Sequence, residues 1–547
     1  MPERLQQILV YHEATKHHFH RYARALGYLD WASQPNPFRR YSGAPLIRLK
    51  KIPPAPEPLF EYGFIPGHVA PAPLDFDSIS QLFYDSLALS AWKSIKTATW
   101  SLRVNPSSGN LHPTEGYLIC GPLRGIGDAP VVCHYTPEEH ALEVRAEFPL
   151  STWRELTGDL PPCAILMGLT SIHWREAWKY GERAYRYCQH DAGHAIAALS
   201  IAAAGLGWQA RLLDEPGTEQ VSHLLGVFDP QGVEPEQPDC LLAVCPQGEE
   251  IKAQGLNSWT INSFTALSWQ GTPNRLSPSQ VDWSIIDEVT QAARKPPTGA
   301  IFETSPALPA PLPMPCREIS LRQMIRQRRS AVAMDGVTTI SSSTFYQMLL
   351  KTLARPGAVP FSTLPWRPHI HLAIFVHRVV GLPPGLYFVV RDEPQKSVLQ
   401  AALRQDSLWK KPASCPEALP LYQLLEADAR EAARQICCHQ DIASDGCFSL
   451  GMIAEFEASL RGHGPWFYPR LFWEAGMIGQ VLYLEGEAAG IRSTGIGCYF
   501  DDPMHEVLGL EDRRYQDLYH FTVGGPVEDG RLTTLPAYPD EAAPENL

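Results

Sequence analysis

Residues 191–227 read DAGHAIAALSIAAAGLGWQARLLDEPGTEQVSHLLGV, and residues 474–510 read EAGMIGQVLYLEGEAAGIRSTGIGCYFDDPMHEVLGL. At a constant offset of 283 residues, without a gap, six residues are identical: Ala192/Ala475, Gly193/Gly476, Leu199/Leu482, Gly207/Gly490, Leu225/Leu508 and Gly226/Gly509. A self-match at a fixed period is typical of a repeated unit. One such period in a chain of 547 residues predicts two copies of a domain rather than a solenoid.

The matched stretch predicts a buried helix in each copy. In the first copy, residues 194–204 form an apolar, alanine-rich run that is closed by Gly205 and Gly207. Apolar residues on every face indicate a helix that is buried nearly all round, with the glycines at its C-terminal end. Two such helices, packed on each other through their small residues, would form the seam of an internal pseudo-dimer. Two independent core helices are the alternative.

Composition argues against several classes of partner. The chain has a formal net charge of -13 and a pI near 5.8. Nucleic-acid surfaces and polybasic membrane anchors both need concentrated Lys and Arg, so neither is expected. The longest apolar run is too short to cross a bilayer, and the first ten residues lack the apolar core of a signal peptide. We therefore expect a soluble, cytoplasmic protein without nucleic-acid or membrane partners.

Cysteine and histidine spacing predicts no metal site. The 12 cysteines include no C-x-x-C pair, so most are expected to be buried reduced thiols. Cys437-Cys438-His439 is not expected to bind a metal, because adjacent cysteines on a helix diverge. His12 and His17 resemble a zincin motif but are one residue too far apart to share a helix face. A solvated or interface helix is the expected structure there.

Prolines mark the predicted domain boundaries. Two clusters, over 52–73 and 296–315, contain many of the 50 prolines. The predicted organisation is an N-terminal helical and Pro-rich extension over 1–74, a first domain over 75–290, a Pro-rich linker over 291–316 and a second domain over 317–547.

Two polar segments carry the candidate chemistry, one in each half. Arg103 to Glu115 is a dense turn whose hydroxyls, amide and backbone N–H groups suit a flat heteroaromatic ring with carbonyl edges. Leu321 to Ser330 is a cationic helix end, and arginine forks beside a hydroxyl suit a phosphate. Taken alone, the first segment could be an ordinary turn and the second a solvated basic helix.

Each segment is missing from the other half. The place of residues 106–110 is taken in the second half by residues 361–365, which lack the amide and the glycine. Between Lys51 and Lys93, where the first half would carry its own arginine clamp, there is no Lys or Arg. This division predicts one ligand, with a ring and a phosphate, lying between the halves.

These segments resemble those of a known superfamily. Arg328-Arg329-Ser330, Pro106-Ser107-Ser108-Gly109-Asn110 and Thr494 to Phe500 look like signature segments of the nitroreductase superfamily, which binds FMN at a dimer interface. Arg103 to Glu115 and Trp178 to Tyr187 are similar to SagB/ThcOx-type dehydrogenases, which oxidise azoline rings in ribosomally made peptides to azoles. The resemblance covers roughly 75–265 and 315–535. It implies an α+β fold with two fused nitroreductase-like domains that form an intramolecular pseudo-dimer.

The resemblance also implies cofactor-binding residues. The phosphate of FMN would be held by Arg328, Arg329, Ser330 and Arg531 from the second half. The ring would be held by Arg103, Pro106, Ser107, Ser108 and Asn110 from the first half. Backbone at Gly495, Ile496 and Gly497 should face the N5 edge of the flavin. Where the family pattern has a further arginine this chain has Val332, so the predicted clamp is thinner.

Lys179-Tyr180 matches the Lys-Tyr pair that azoline-oxidising relatives use as their acid/base element. Dehydrogenation delivers a hydride to flavin N5 and needs a base for a second proton. A lysine serves as that base only if burial or a nearby cation lowers its pKa, and Arg183 and Arg186 follow in the sequence. Without the resemblance, Lys179 would be interpreted as a surface lysine.

The resulting expectation is an FMN-dependent oxidoreductase that dehydrogenates an azoline-type heterocycle or similar substrate in peptide or natural-product modification, with dioxygen as acceptor. An NAD(P)H-dependent nitro- or quinone-type reductase is the alternative enzyme. A degenerate, non-catalytic scaffold in a modifying complex is the alternative from another class. The expected partners are a small-molecule or peptide substrate and other peptide-modifying enzymes, with the chain acting as a monomeric pseudo-dimer or a homodimer.

Overall fold

The computed structural model describes residues 2–229, 232–249, 251, 256–301, 303 and 317–538. Part of the predicted linker and the end of the predicted second domain therefore lie outside the described residues. The helices are α1 Pro2–Ala14, α2 Phe76–Tyr84, α3 Leu150–Leu156, α4 His173–Tyr180, α5 Ala184–Gly205, α6 Thr218–Leu225, α7 Ser258–Ser263, α8 Ser284–Ala292, α9 Leu321–Gln327, α10 Ser342–Lys351, α11 Lys396–Ala402, α12 Arg430–Ile436, α13 Ile442–Asp445, α14 Glu457–His463, α15 Tyr468–Ala488 and α16 Asp501–Leu508.

The strands form two large antiparallel sheets and smaller ones. They are β1 Tyr41–Ser42, β2 Leu46–Arg48, β3 Leu89–Ile95, β4 Ala98–Arg103, β5 Thr114–Cys120, β6 Val131–Thr136, β7 Ala141–Glu147, β8 Ile165–Ser171, β9 Trp208–Leu212, β10 Gln237–Pro246, β11 Thr272–Pro273, β12 Ile340–Ser341, β13 Ile370–Val376, β14 Val379–Val380, β15 Gly385–Val389, β16 Leu421–Glu426, β17 Phe448–Glu455, β18 Arg492–Ile496, β19 Tyr515–Gly524 and β20 Thr533–Leu535.

The two large sheets have the same strand order. The first runs β2-β7-β6-β5-β8-β10-β9, and the second runs β16-β15-β13-β17-β19-β18. Apart from β2, each strand of the first sheet has a counterpart at the same place in the second. The chain is therefore an α+β protein with two fused domains of one fold, as the repeat predicts. Strand β2 lies within the predicted N-terminal extension and adds an edge to the first sheet.

The repeated helices α5 and α15 pack against each other at the centre of the molecule. All of α5 is buried, as is α15 from Tyr468 to Gly486. A Cβ on Gly193 would lie 2.2 Å from the carbonyl oxygen of Trp473, and one on Gly476 would lie 2.2 Å from that of His190. The two contacts are equivalent under the sequence offset. They confirm the predicted seam of an intramolecular pseudo-dimer, in which glycine lets the backbones approach.

The seam gives the first testable prediction. We expect Gly193→Ala to lower the free energy of unfolding by about 2 kcal/mol, because backbone on the facing helix cannot yield to the added methyl group. Thermal and urea unfolding of the full chain would measure it. Gly462→Ala is the matched control, since Gly462 lies in helix α14 and a Cβ there meets no atom within 4 Å. Equal stability of the two variants would show that the close approach is unimportant.

A third sheet joins the C-terminal segment to the first half. Its order is β20-β3-β4, so a strand from the C-terminal segment pairs with a hairpin of the first half. Beyond β20, the Tyr538 hydroxyl donates to the carbonyl oxygen of Pro137 at 2.8 Å. The C-terminal segment thus crosses the pseudo-dimer and packs on the other half.

Helix α1 is an interface helix rather than a solvated one. His12 is buried and its ring contacts the Tyr468 hydroxyl at 3.1 Å and the Gln516 side chain at 3.2 Å. His17 follows the helix and is also buried. In the described part of the chain, no helix has both the length and the apolar character that crossing a bilayer requires.

Candidate functional site

A cavity of about 430 Å³ lies between the halves, within the size range of small-molecule sites. Twelve of the residues that the sequence singles out line it: Arg103, Pro106, Ser107, Ser108, Asn110, Tyr180, Arg328, Arg329, Ser330, Gly495, Ile496 and Gly497. Three segments that are far apart in sequence thus line one cavity. They are the loop at 106–110, the cationic helix end and the segment Gly495-Ile496-Gly497 at the end of strand β18, which is called the glycine strand below.

The loop between β4 and β5 is held in a single shape. The backbone N–H and Oγ of Ser108 both donate to Asp191 of α5 at 3.0 Å, and the His112 N–H donates to Ser107 Oγ at 2.7 Å. Gly109 has a φ of 58°, and a Cβ there would lie 2.5 Å from the Tyr180 hydroxyl. Only glycine fits this approach, so the loop and helix α4 depend on each other.

The cationic helix end presents one buried guanidinium with unused hydrogen-bonding capacity. Arg328 is 4% exposed, and its Nη2 donates to the carbonyl oxygen of Arg103 at 3.2 Å. Its Nε and Nη1 have no hydrogen-bond partner among the described residues. Burial lowers the pKa of Arg328. Because an unsatisfied buried cation is costly, this arrangement favours an anion in the cavity.

The neighbouring Arg329 is used differently. Its Nη1 donates to the carbonyl oxygens of Arg326 and Arg328 at 2.9 and 2.7 Å, and its Nη2 to that of Ser90 at 3.2 Å. Burial, and next the charge of Arg328, lower the pKa of Arg329 to about 9. Arg329 thus fixes the helix end against the first half, whereas Arg328 keeps two donors without a partner among the described residues.

The glycine strand β18 is tied to the cationic helix end. Ser330 Oγ lies 2.9 Å from the Tyr483 hydroxyl, which accepts the N–H of Gly495 at 3.0 Å. A Cβ on Gly495 would lie 2.0 Å from the Tyr519 hydroxyl, and one on Gly497 2.1 Å from the Tyr187 ring. Two aromatic side chains therefore pack directly on the strand, and glycine is required at both positions.

The structure places Arg531 outside the cavity lining. Its guanidinium is paired with Asp529 at 2.7 Å, and its side chain is 78% exposed. Two cations that sequence reasoning missed line the cavity instead, Lys93 on β3 and Arg492 on β18. Lys93 Nζ donates to Thr534 on the C-terminal strand β20 at 2.6 Å. No local motif marks these residues, because only the pairing of distant strands brings them to the site.

Lys179 and Tyr180 end helix α4 beside the loop. Tyr180 lines the cavity, whereas Lys179 is half-buried and its Nζ lies 3.1 Å from the position of a Cβ on Gly109. Burial, and next the charge of Glu176, raise the pKa of Tyr180 well above its usual range, so its phenol stays protonated. Within the pair, Tyr180 is therefore the member that faces a bound molecule.

Two buried carboxyl groups that the sequence did not single out as site residues lie behind the loop. Burial raises the pKa of Asp191 to about 7. Burial, and next the charge of Asp191, raise the pKa of Glu176 well above its usual range, while Lys179 acts in the opposite direction. Of the two, Asp191 therefore titrates near neutral pH, and the pKa of Glu176 is shifted in the same direction. Their signal in the sequence is weak, since buried acids look like any other helical carboxylate.

Arg183 and Arg186 do not act as the free cations that the sequence suggested. Their guanidinium groups donate to Asp501 of the second half at 3.0 and 2.7 Å, and all three side chains are buried. Their charge is therefore offset by Asp501 across the domain interface. The geometry assigns these arginines to holding the halves together.

A buried cluster of charged side chains holds strand β5, which follows the loop. Its titration predicts how stability depends on pH. Glu115 on β5 accepts hydrogen bonds from Arg175 and from His134, the latter at 3.0 Å. Although burial opposes the change, Arg175 and His134 lower the pKa of Glu115 to about 2. Burial also opposes ionisation of His134, but Glu115 and Glu143 raise its pKa to about 9.

The His134 contribution to stability is complete below a pH of about 6.5, its unfolded pKa, and is lost as pH rises through 9. The Glu115 contribution is complete above about 4.5 and is lost as pH falls toward 2. We expect the wild type to lose about 2 kcal/mol of stability between pH 6.5 and 9 from this cluster. His134→Gln should flatten that slope in unfolding curves measured across the range; an unchanged slope would contradict the assignment.

Comparison with known proteins identifies the fold. No family model matches the chain. A crystal structure of a "putative nitroreductase" from Anabaena variabilis superposes over 95% of this chain and 99% of its own, with a TM-score of 0.68 and 21% sequence identity. The chain has the nitroreductase fold.

Two further matches are shorter. The "Putative nitroreductase" of Methanocaldococcus jannaschii is 23% identical over 142 residues, which are 25% of this chain and 66% of that protein. The E. coli microcin synthetase complex with truncated pro-microcin bound covers 42% of this chain and 80% of its own, at 16% identity and a TM-score of 0.28. At that score the likeness carries no argument.

Among the described residues, side chains occupy most of the position that the repeat symmetry relates to this cavity. At the repeat offset, Gly497 and Tyr187 correspond to Asp214 and Arg470, which form an ion pair of 2.8 Å. The Arg470 guanidinium also lies over the ring of Trp466 at 4.5 Å. The cavity bordered by Arg470 is only about 50 Å³. Charged and aromatic side chains thus fill the second position.

Proteins of the nitroreductase fold generally bind flavin, and the remaining cavity fits that group. Arg328 supplies a buried donor pair for a phosphate, and the approach of Gly495 and Gly497 leaves backbone rather than side chains along one wall. Ser107 and Asn110 of the first-half loop line the same cavity. Val332 is 69% exposed at the cavity, where the family pattern has arginine. The structure thus places Val332, and no arginine, at this point of the cavity lining.

Proposed function

We propose that the chain is an FMN-dependent oxidoreductase with one flavin held between its halves. The observation that carries the proposal is the pair of Arg328 donors, Nε and Nη1, that have no hydrogen-bond partner among the described residues and lie at a cavity that the loop of the first half also lines. Arg328 and Ser330 would hold the phosphate, and Lys93 would add positive charge, whereas Arg492 is paired with Glu528 at 2.7 Å. Ser107, Ser108 and Asn110 would line the ring, with Gly495 to Gly497 along its edge.

We propose oxidation of an azoline-type ring, or a similar heterocycle, as the reaction. When bound, FMN supplies the two-electron acceptor, and dioxygen would reoxidise it. The protein must hold the substrate against the ring and move a proton. Tyr180 would contact the substrate through its phenol, and Lys179, whose Nζ lies 5.2 Å from the centre of the Tyr180 ring and does not line the cavity, would take the proton by way of that phenol. The charges of Glu176 and Asp191 act on Tyr180, and that of Lys179 acts on Glu176, so these carboxyl groups are the proposed acceptors of that proton afterwards.

An NAD(P)H-dependent reductase would use the same cavity, and a scaffold without catalysis would leave it unused. The scaffold is favoured by one observation, the exposure of Val332 and Arg531 where phosphate ligands are expected. The oxidase is favoured by the buried acid groups behind Tyr180, for which a scaffold has no use. Partner enzymes that make the azoline in a peptide, and a cytoplasmic location that suits the unpaired cysteines, complete the proposal.

The test begins with the absorption spectrum and flavin content of the full-length protein. We expect a yellow protein with one FMN per chain, released on denaturation. An azoline-containing peptide should then lose two hydrogen atoms in air, without NAD(P)H. Rapid NAD(P)H oxidation with a nitroaromatic or quinone, and no azole product, would support the reductase instead. A colourless protein that does not bind added FMN would support the non-catalytic scaffold.

A further inference from the structure

Two cysteine sulfurs meet at the edge of the cavity. Cys498 follows strand β18 and lines the cavity, and Cys438 follows helix α12. Their Sγ atoms are 3.0 Å apart, although the residues are 60 positions apart in the chain. Both side chains are only partly buried. The sequence predicted a helix that carries both Cys437 and Cys438, but the helix ends at Ile436, and Cys438 lies in the turn after it.

The backbone around Cys438 is held in an unusual conformation. Cys438 has a φ of 53° and His439 a φ of 59°, the left-handed region that residues with a Cβ seldom occupy. Gln440 fixes this turn, because its Nε2 donates to the carbonyl oxygens of Cys437 and Cys498 at 2.8 and 2.9 Å. The Gln440 side chain thus links the strained turn at Cys438 to the segment that follows β18 at Cys498.

The surroundings of the pair favour a thiolate on Cys498. The nearby Cys438 thiol lowers the pKa of Cys498 to about 5; burial opposes the change, and His17 and Arg183 add to it. The Nδ1 atom of His17 accepts the N–H of Ala23 at 2.9 Å, so the ring proton of a neutral His17 sits on Nε2. Thiolate is the reactive form of cysteine.

We propose that Cys498 and Cys438 form a peroxide-reactive pair that cycles between a dithiol and a disulfide at the edge of the cavity. The Cys498 thiolate attacks one oxygen of hydrogen peroxide, the O–O bond breaks, and the second oxygen leaves as water after taking a proton. Cys498 is then a sulfenic acid. The Cys438 sulfur attacks the Cys498 sulfur, the S–O bond breaks, and the hydroxyl leaves as water with the Cys438 proton.

The net reaction joins two thiols and one hydrogen peroxide to give one disulfide and two waters. A dithiol reductant reverses it by thiol–disulfide exchange. The sulfurs need to move by only about 1 Å to reach bonding distance, so both states fit the same fold. This reaction does not depend on a bound flavin, and its test reads covalent chemistry alone.

The experiment treats the full-length protein with one equivalent of hydrogen peroxide, blocks free thiols with iodoacetamide and maps the peptides by mass spectrometry. We expect a linked pair of peptides containing Cys438 and Cys498, lost on adding dithiothreitol. Before oxidation, Cys498 should alkylate at neutral pH about tenfold faster than Cys163, a partly buried cysteine far from the cavity.

Variants separate the two steps. Cys438→Ser should leave a sulfenic acid on Cys498 that dimedone traps, and Cys498→Ser should prevent both products. Cys163→Ser is the matched control and should still form the link. The proposal is overturned if no linked peptide forms in the wild type, or if Cys498 reacts no faster than Cys163. The peptide map of the wild-type protein tests the proposed disulfide even if a variant fails to fold.

Discussion

Replacing Arg328 with alanine is expected to weaken FMN binding on the order of 1,000-fold, because two charge-assisted hydrogen bonds to phosphate would be lost. The Nε and Nη1 atoms of Arg328 have no partner among the described residues, and the side chain is buried. A bound phosphate would therefore satisfy groups that the protein leaves unsatisfied. Titration of the apoprotein with FMN, followed by flavin fluorescence, would measure the change.

The matched control is Arg531→Ala. Arg531 is the arginine that the family resemblance assigns to the phosphate, yet its side chain is exposed and paired with Asp529. We expect its removal to change FMN affinity by less than about threefold, as for an exposed ion pair. If Arg531→Ala abolishes binding and Arg328→Ala does not, the geometric assignment of the clamp is wrong.

Replacing Lys179 with alanine should reduce the oxidation rate on the order of 1,000-fold, since general base catalysis is lost. FMN content should stay at one per chain, because Lys179 does not line the cavity. Tyr180→Phe should remove the phenol that faces the substrate and raise KM as well as lower kcat. Rates of azole formation at saturating peptide would provide the comparison.

Lys410→Ala is the control for Lys179, since Lys410 is an exposed lysine in the other half. Its activity should match the wild type. A Lys179→Ala enzyme with wild-type turnover would remove Lys179 as the base. In that event Glu176 and Asp191, whose carboxyl groups titrate abnormally beside Tyr180, would become the residues to replace next.

The sequence predicts the parts of this protein that depend on local chemistry. The offset between 191–227 and 474–510 predicts both the duplication and the packing of α5 on α15, because only small residues permit that contact. The loop at Ser107 and the helix end at Arg328 are also local, since each is a short run of suitable groups. Their meeting follows from the asymmetry between the halves.

What the sequence could not predict depends on long-range strand pairing and on where elements end. Lys93 and Arg492 reach the cavity only because β3 pairs with β20 and β18 with β19. Cys438 was expected to lie on a helix, but the helix ends at Ile436, and Cys438 lies in the turn that follows. Arg531 follows a family pattern, but the turn that carries it leaves the cavity. In each case, burial and long-range strand pairing decide where the residue lies. Neither can be predicted from the residues adjacent to it in the sequence.

The covalent fusion of the two copies has a consequence for how the site assembles. A cavity built from two separate chains forms only at concentrations that support dimerisation. Here the chain tethers the copies, so the effective concentration of one for the other is fixed and dilution cannot separate them. In a fused chain, each copy needs only one of the two ligand-binding segments, because the other copy always supplies the second. The ion pair of Asp214 and Arg470 occupies the position that this arrangement makes dispensable.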